Sequence, residues 1–260
     1  MLACPACGGG VRPLGVLRHR WWVCARCGTA SRVPRQARAP RPPTFFRAPD
    51  PAAAALESAQ VAGWLEQHAV AVRGRVLDVG GGPGAALASL AQRPEVEEVL
   101  LLEYSTHARE QAEAVGVPAR PFDFQRTRLA EAAPGPWDLV MVRYAAAWCQ
   151  DLPRFAAELR AQAAPGAVVL LTWVLPSRGA FAISQFEREA PERLYTEPYV
   201  DACFTAAGWS PLVSFEPAPP MLHPRLSWRW LAGLPVLFRP GPSRGMRQHH
   251  AGRIFGLRPA

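Results

Sequence analysis

Val76-Leu77-Asp78-Val79-Gly80-Gly81-Gly82-Pro83-Gly84 decides how this chain is read. A short apolar run ends in an acid and breaks at once into four glycines and a proline. That is the pattern of a buried parallel strand turning sharply into a helix beside a ligand. Glycine suits the turn because a Cβ would hold a ligand off the backbone, and because some positions there need positive φ. The helix that follows, over about 85–92, aims its first N–H groups at whatever lies above the loop.

Nineteen residues after Gly84 a second apolar run, Val99-Leu100-Leu101-Leu102-Glu103, also ends in a carboxylate. An acid at the tip of that strand is placed to accept hydrogen bonds from a ribose diol. A dinucleotide site and an S-adenosylmethionine site share this geometry. The order Gly80-Gly81-Gly82-Pro83-Gly84, unlike a spaced G-x-G-x-x-G, leaves no clear place for a pyrophosphate. Asp123 follows a third strand (about 117–122), where an acid can meet an adenine amino group. A fourth strand runs over 137–143, a helix over 152–162, and Ala164-Pro165-Gly166 turns into a fifth strand over 167–174.

From about residue 55 to 216 this succession resembles the class I S-adenosylmethionine-dependent methyltransferases. The resemblance implies an α/β fold with a doubly wound, Rossmann-like sheet of seven strands. It also implies S-adenosylmethionine as cofactor. Asp78, Gly80, Gly82 and Gly84 would surround its methionine and ribose. Glu103 would hold the ribose hydroxyls, and Asp123 and Tyr104 the adenine. A helix over 51–70 is expected to cap that pocket. The sixth strand falls near 211–216, after a helix started by Thr196-Glu197-Pro198. Arg253-Ile254-Phe255-Gly256-Leu257 supplies an antiparallel seventh.

The N-terminus carries a second signature. Cys4-Pro5-Ala6-Cys7-Gly8 and Cys24-Ala25-Arg26-Cys27-Gly28 are matched C-x-x-C-G knuckles, with sixteen residues between Cys7 and Cys24. Each knuckle can face two thiolates to one tetrahedral ion, so Cys4, Cys7, Cys24 and Cys27 are expected to hold a structural Zn²⁺. Residues 18–23 between them read as a hairpin strand, with Trp21 and Trp22 as its core or as a stacking surface. The expected organisation is a zinc ribbon over 1–33, a Pro/Arg-rich linker over 34–51, and a methyltransferase domain over 52–260. An insertion at about 217–252 carries Trp228 and Trp230. Packing on the body is the first reading of that insertion; a substrate lid or a peripheral membrane contact would also fit. Cys149 and Cys203 read as core residues.

All 29 basic residues are arginine, and their distribution is uneven. Residues 1–49 carry net +9, residues 50–216 net −8, and residues 217–260 net +7. An acidic body between basic ends suits an anionic partner such as RNA, lipid or a phosphorylated acceptor, although solvated arginine explains it equally well. No run of eighteen apolar residues occurs, so no transmembrane segment is expected. No secretory pattern opens the sequence, and a cytoplasmic setting is expected.

The acceptor side is less explicit. Many relatives acting on small molecules carry a Glu-His pair after the fourth strand; here Ala147-Trp148 stands there. The Pro-Pro-Tyr type of motif of base-amine methylation is replaced by Val142-Arg143-Tyr144-Ala145. Arg143 and Tyr144 are the candidate catalytic residues, with His107 and His223 as possible bases. The leading expectation is methyl transfer to a small-molecule or glycan-like acceptor. The ribbon joined to this domain resembles bacterial methyltransferases of polysaccharide and secondary-metabolite pathways. A ribosomal-RNA methyltransferase with a zinc module and a non-catalytic cofactor-binding protein are the alternatives.

Overall fold

The computed structural model describes residues 3–4, 6–16, 19–32, 51–176, 193–215, 217 and 250–257. The linker, His223 and almost all of the 217–252 insertion, with its lid and membrane readings, lie outside the described residues.

Apolar runs punctuated by glycine and proline become a seven-stranded sheet. Its strands are β4 (Gly74–Val79), β5 (Val96–Glu103), β6 (Ala119–Pro121), β7 (Trp137–Arg143), β8 (Ala163–Val174), β10 (Trp209–Phe215) and β11 (His250–Leu257). They lie in the order β10-β11-β8-β7-β4-β5-β6. Neighbours from β8 to β6 are parallel, and β11 runs antiparallel between β8 and β10. The glycine loop therefore leaves the carboxyl end of β4, next to the central strand β7, where ligands bind in open sheets of this kind.

Period-two alternation divides the core. Val76, Val99, Leu101, Leu139, Met141 and Ile254 face one side, against α1 (Pro51–Gln67), α2 (Ala85–Leu90) and α3 (Thr106–Ala114). Leu77, Val79, Leu102, Val140, Leu171 and Phe255 face the other, against α4 (Leu129–Ala132), α5 (Leu152–Ala161) and α6 (Glu197–Ala206). Both faces are covered, as a mostly parallel sheet requires. Cys149 and Cys203 are buried in the second layer. β8 starts four residues earlier than the sequence suggests: Ala163 pairs with Trp137, and the ladder resumes only at Val168 opposite Leu139. Gly166, at φ 78°, turns the chain within that bulge.

The N-terminal residues form a smaller antiparallel sheet of β1 (Val11–Val16), β2 (His19–Cys24) and β3 (Ala30–Arg32). A fourth member is β9 (Arg193–Leu194), which arrives from the body and pairs with β3. Nothing in the sequence marks β9, because two residues carry no periodicity. It closes a cluster of Trp21, Ala30 and Leu194, all essentially inaccessible to solvent. Trp21 is thus core and Trp22 is half-buried.

The two sheets are joined further at the start of α6. Thr196 occupies the predicted N-cap, yet its side chain makes no capping bond. Its hydroxyl donates instead to the Cys27 carbonyl at 2.7 Å. Tyr199 Oη donates to the Ala6 carbonyl at 3.0 Å, and Arg193 Nη1 to Ser31 Oγ at 2.9 Å. A cap is worth about 1 kcal/mol to a helix; here that hydroxyl fixes the ribbon to the body.

Candidate active site

The glycine loop has the backbone its composition demands. Gly80, Gly82 and Gly84 sit at φ 74°, 60° and 76°, in the left-handed region. Gly81 serves differently: a Cβ there would lie 2.2 Å from Asp78 Oδ2. Its absence lets the Asp78 carboxylate fold under the loop.

Asp78 is completely buried and its charge is matched. Arg143 Nη2, from the end of β7, donates to Asp78 Oδ2 at 2.7 Å. Nη1 of the same guanidinium donates to Glu57 Oε1, on α1. Burial pushes the Asp78 carboxyl up, and the adjacent guanidinium pulls it back. Burial likewise opposes the charge on Arg143, but the two carboxylates outweigh it and leave its pKa raised, so the pair is ionic. Asp78 Oδ1 remains buried without a hydrogen-bond partner. A ligand ammonium group would satisfy that acceptor.

Arg143→Met should therefore destabilise the protein by about 3–5 kcal/mol, since it leaves the Asp78 carboxylate buried without a counter-charge. Urea unfolding measures this, and adding Asp78→Asn should restore part of the loss.

Glu103 ends β5 at 5% exposure. Gly82 N donates to its Oε2 at 3.1 Å and Ser105 N to its Oε1 at 2.8 Å. Burial raises its pKa, and these N–H donors only partly offset the rise. The glycine loop and the second-strand acid, read separately from the sequence, thus meet through a backbone hydrogen bond. Tyr104 follows with 40% exposure. Asp123 is half-buried after β6, its Oδ1 accepting from Gln125 N at 2.8 Å.

Tyr144 takes φ 57°, rare for a bulky residue, immediately after β7. Its N–H donates to the Thr172 carbonyl at 2.8 Å, which ties the turn to β8. Burial raises the phenol pKa well above its ordinary value, so the hydroxyl keeps its proton near neutrality. His107 lies apart on α3, largely exposed and within 2.9 Å of Gln111.

Arg143, a candidate catalytic residue from the sequence, has its charge taken up by Asp78 and Glu57. Glu57 escaped sequence reading, because an acid in an alanine-rich helix carries no signal of a partner 86 residues away.

A family model for a methyltransferase domain matches residues 35–216, most of the chain. This chain belongs to the class I S-adenosylmethionine-dependent methyltransferases. No curated protein matches the sequence. Among solved structures, the methyltransferase is similar to an S-adenosylmethionine-dependent methyltransferase from Mesorhizobium loti (14% identity, TM-score 0.58, 77% of this chain and 99% of the other). It is also similar to geranyl diphosphate C-methyltransferase from Streptomyces coelicolor A3(2) (14%, 0.57, 78% and 80%). A third likeness is to the Haloferax volcanii complex of the Trm112 methyltransferase activator with a putative methyltransferase (15%, 0.57, 82% and 96%). At these identities the likeness is one of fold.

The methyltransferase carries its four N-terminal thiols in one group. All Sγ atoms of Cys4, Cys7, Cys24 and Cys27 lie within 4.8 Å of one another, with Cys4–Cys27 at 3.8 Å and Cys7–Cys24 at 3.5 Å. Zinc–sulfur bonds of about 2.3 Å at tetrahedral angles put sulfurs about 3.8 Å apart, so the donor set fits Zn²⁺. The knuckles match in detail. Gly8 and Gly28 share φ 70°, and their N–H groups donate to the Cys4 and Cys24 carbonyls at 2.8 and 3.0 Å. Arg26 N and Cys27 N donate to Cys24 Sγ.

Proposed function

We propose that the enzyme methylates a small-molecule or glycan-like acceptor, with Tyr144 touching that acceptor and the four cysteines holding one structural Zn²⁺. The observation that carries the acceptor class is the turn after β7. There Arg143 is spent internally on Asp78 and Glu57, while Tyr144 is held at φ 57° at the carboxyl end of the sheet.

S-adenosylmethionine, when bound, supplies a methyl group on a sulfonium. The chain's residues bind and orient it: Asp78 Oδ1 accepts from the ammonium, Glu103 takes the ribose hydroxyls, and Asp123 and Tyr104 hold the adenine. The glycine loop brings backbone N–H groups close. Tyr144, staying protonated, orients the acceptor as a hydrogen-bond donor rather than removing its proton. Arg143 acts at one remove, by fixing Asp78. No described helix is long and apolar enough to cross a membrane, and a cytoplasmic setting suits the free thiols.

The reading is tested with purified enzyme and methyl-labelled S-adenosylmethionine on an extract of the host lacking the gene. Label is expected in the small-molecule or glycan fraction. Ribonuclease-sensitive label would overturn that in favour of an RNA acceptor. Tyr144→Phe should lower kcat by about 10–100-fold with the KM for S-adenosylmethionine unchanged.

Glu103 gives a pH dependence. Its folded pKa is raised, so ionising it costs stability as pH climbs from the usual carboxylate range through that raised value. Ribose O–H donors favour the ionised form, so affinity for S-adenosylmethionine should rise with pH across that window and level above it. Glu103→Gln should bind more weakly and flatten the profile in calorimetric titrations. A flat wild-type profile would remove Glu103 from the diol site.

A further inference from the structure

Between the N-terminal sheet and the body lies an open cleft of about 410 Å³. Ala6 of the first cysteine knuckle forms one wall. Opposite it, Gln125, Gln150 and Asp151 come from the segments that follow β6 and β7. Gln125 links those segments, donating from Nε2 to the Trp148 carbonyl at 2.6 Å and from its backbone N–H to Asp123 Oδ1. The cleft is therefore floored by the same two loops that carry Asp123 and Tyr144.

Arg154 and Arg193 give it two guanidinium groups and Asp151 one carboxylate. Arg154 is partly spent, with Nη2 donating to the Phe124 carbonyl and Nε lying 3.7 Å from Glu158 Oε1. The Asp151 carboxylate is engaged locally, with Oδ1 accepting from Arg154 N at 3.0 Å as the N-cap of α5. Arg193 spends Nη1 on Ser31 Oγ, and its Nε is buried with no hydrogen-bond partner. A buried guanidinium donor left unpaired is costly, and an oxyanion presents the acceptor geometry that satisfies it. Pro153 and Arg154 stand in the first turn of α5, and Tyr199 in the first turn of α6. The first turns of two helices thus border one cleft, and both add positive potential.

We infer that this cleft recognises an oxyanion group of the acceptor, a carboxylate or phosphate held by Arg193 and Arg154, with the cysteine ribbon as its outer wall. The inference rests on the proposed small-molecule transfer and gives the acceptor's chemical class. The ribbon then has a part in specificity: it completes a site that the body alone leaves open.

The test uses the full-length, zinc-loaded protein, with inorganic phosphate and succinate as separate calorimetric probes, in buffer of fixed ionic strength. Saturable binding of at least one probe is expected, and which one binds tells phosphate from carboxylate. Arg193→Met should weaken it by about tenfold or more while leaving S-adenosylmethionine affinity unchanged. Ser31→Ala removes the Arg193–ribbon hydrogen bond and keeps the charge, so it should retain probe binding. Equal loss in Ser31→Ala and Arg193→Met would mean that ribbon docking, not anion recognition, was lost, and would overturn the inference. So would the absence of saturable binding in the wild type. Failure of methyl transfer to any extract fraction would instead count against the proposed function and leave the probe result standing by itself.

Discussion

Gly80→Val is expected to reduce affinity for S-adenosylmethionine by at least about 100-fold, close to 2.8 kcal/mol. A Cβ at Gly80 would stand 2.3 Å from the Cβ of Ala145, in the buried segment that follows Tyr144. The backbone there is at φ 74°, which costs an L-residue about 1–2 kcal/mol before any overlap. Valine adds a branch that is stiff at χ1. The loop must move away from Ala145, and with it the N–H groups proposed to meet the ligand. Gly116→Ala separates strain from contact. It has φ 82° and open space around its Cβ, so it should shift the melting point by a few degrees and leave affinity unchanged. Calorimetric titration of both variants, with circular dichroism to confirm folding, measures the difference. Near wild-type affinity in Gly80→Val would remove this loop from the cofactor site.

Removal of metal should have the second large effect, confined to one end of the molecule. Among the described residues, the core of the small sheet is Trp21, Ala30 and Leu194, with Val23 and Val174 packed against it. That is far too little apolar surface to order some thirty residues, whereas zinc binding to a four-ligand site supplies about 10–16 kcal/mol. A strong chelator should release one zinc per chain, counted by native mass spectrometry. It should also open residues 1–32 to proteolysis while residues 51–176 stay protected. Cys24→Ser should reproduce both changes. Protection of the N-terminus after complete chelation would show that docking through β9, Thr196 and Tyr199 suffices to hold it.

Most of the half of the sheet around the glycine loop is legible in the sequence because its signals are local. Val76 to Gly84 contains a strand, its break and its turn within nine residues, and Val99 to Glu103 repeats the pattern. The cysteine knuckles are equally self-contained. The elements that escaped reading all depend on partners distant in sequence. Glu57 matters only because Arg143 lies beneath α1. Arg193-Leu194 becomes a strand only because β3 offers it an edge. Thr196 was placed correctly as a helix start, yet what its hydroxyl does was decided by Cys27, 169 residues earlier. Arg143 shows the converse: its position at the tip of β7 was legible, while its direction depended on the buried charge of Asp78.

The bond from Arg193 to Ser31 spans 162 residues. During synthesis the cysteine knuckles leave the ribosome before the body does, and a bound ion would close them within a short local segment. Their docking strand, β9, is not made until roughly 10–30 seconds later at ordinary translation rates. For that interval the ribbon is a finished piece with an unpaired β3 edge, the kind of edge that invites pairing with other chains. Cells translating slowly should accordingly accumulate this protein as aggregates nucleated at that edge rather than as inactive soluble enzyme.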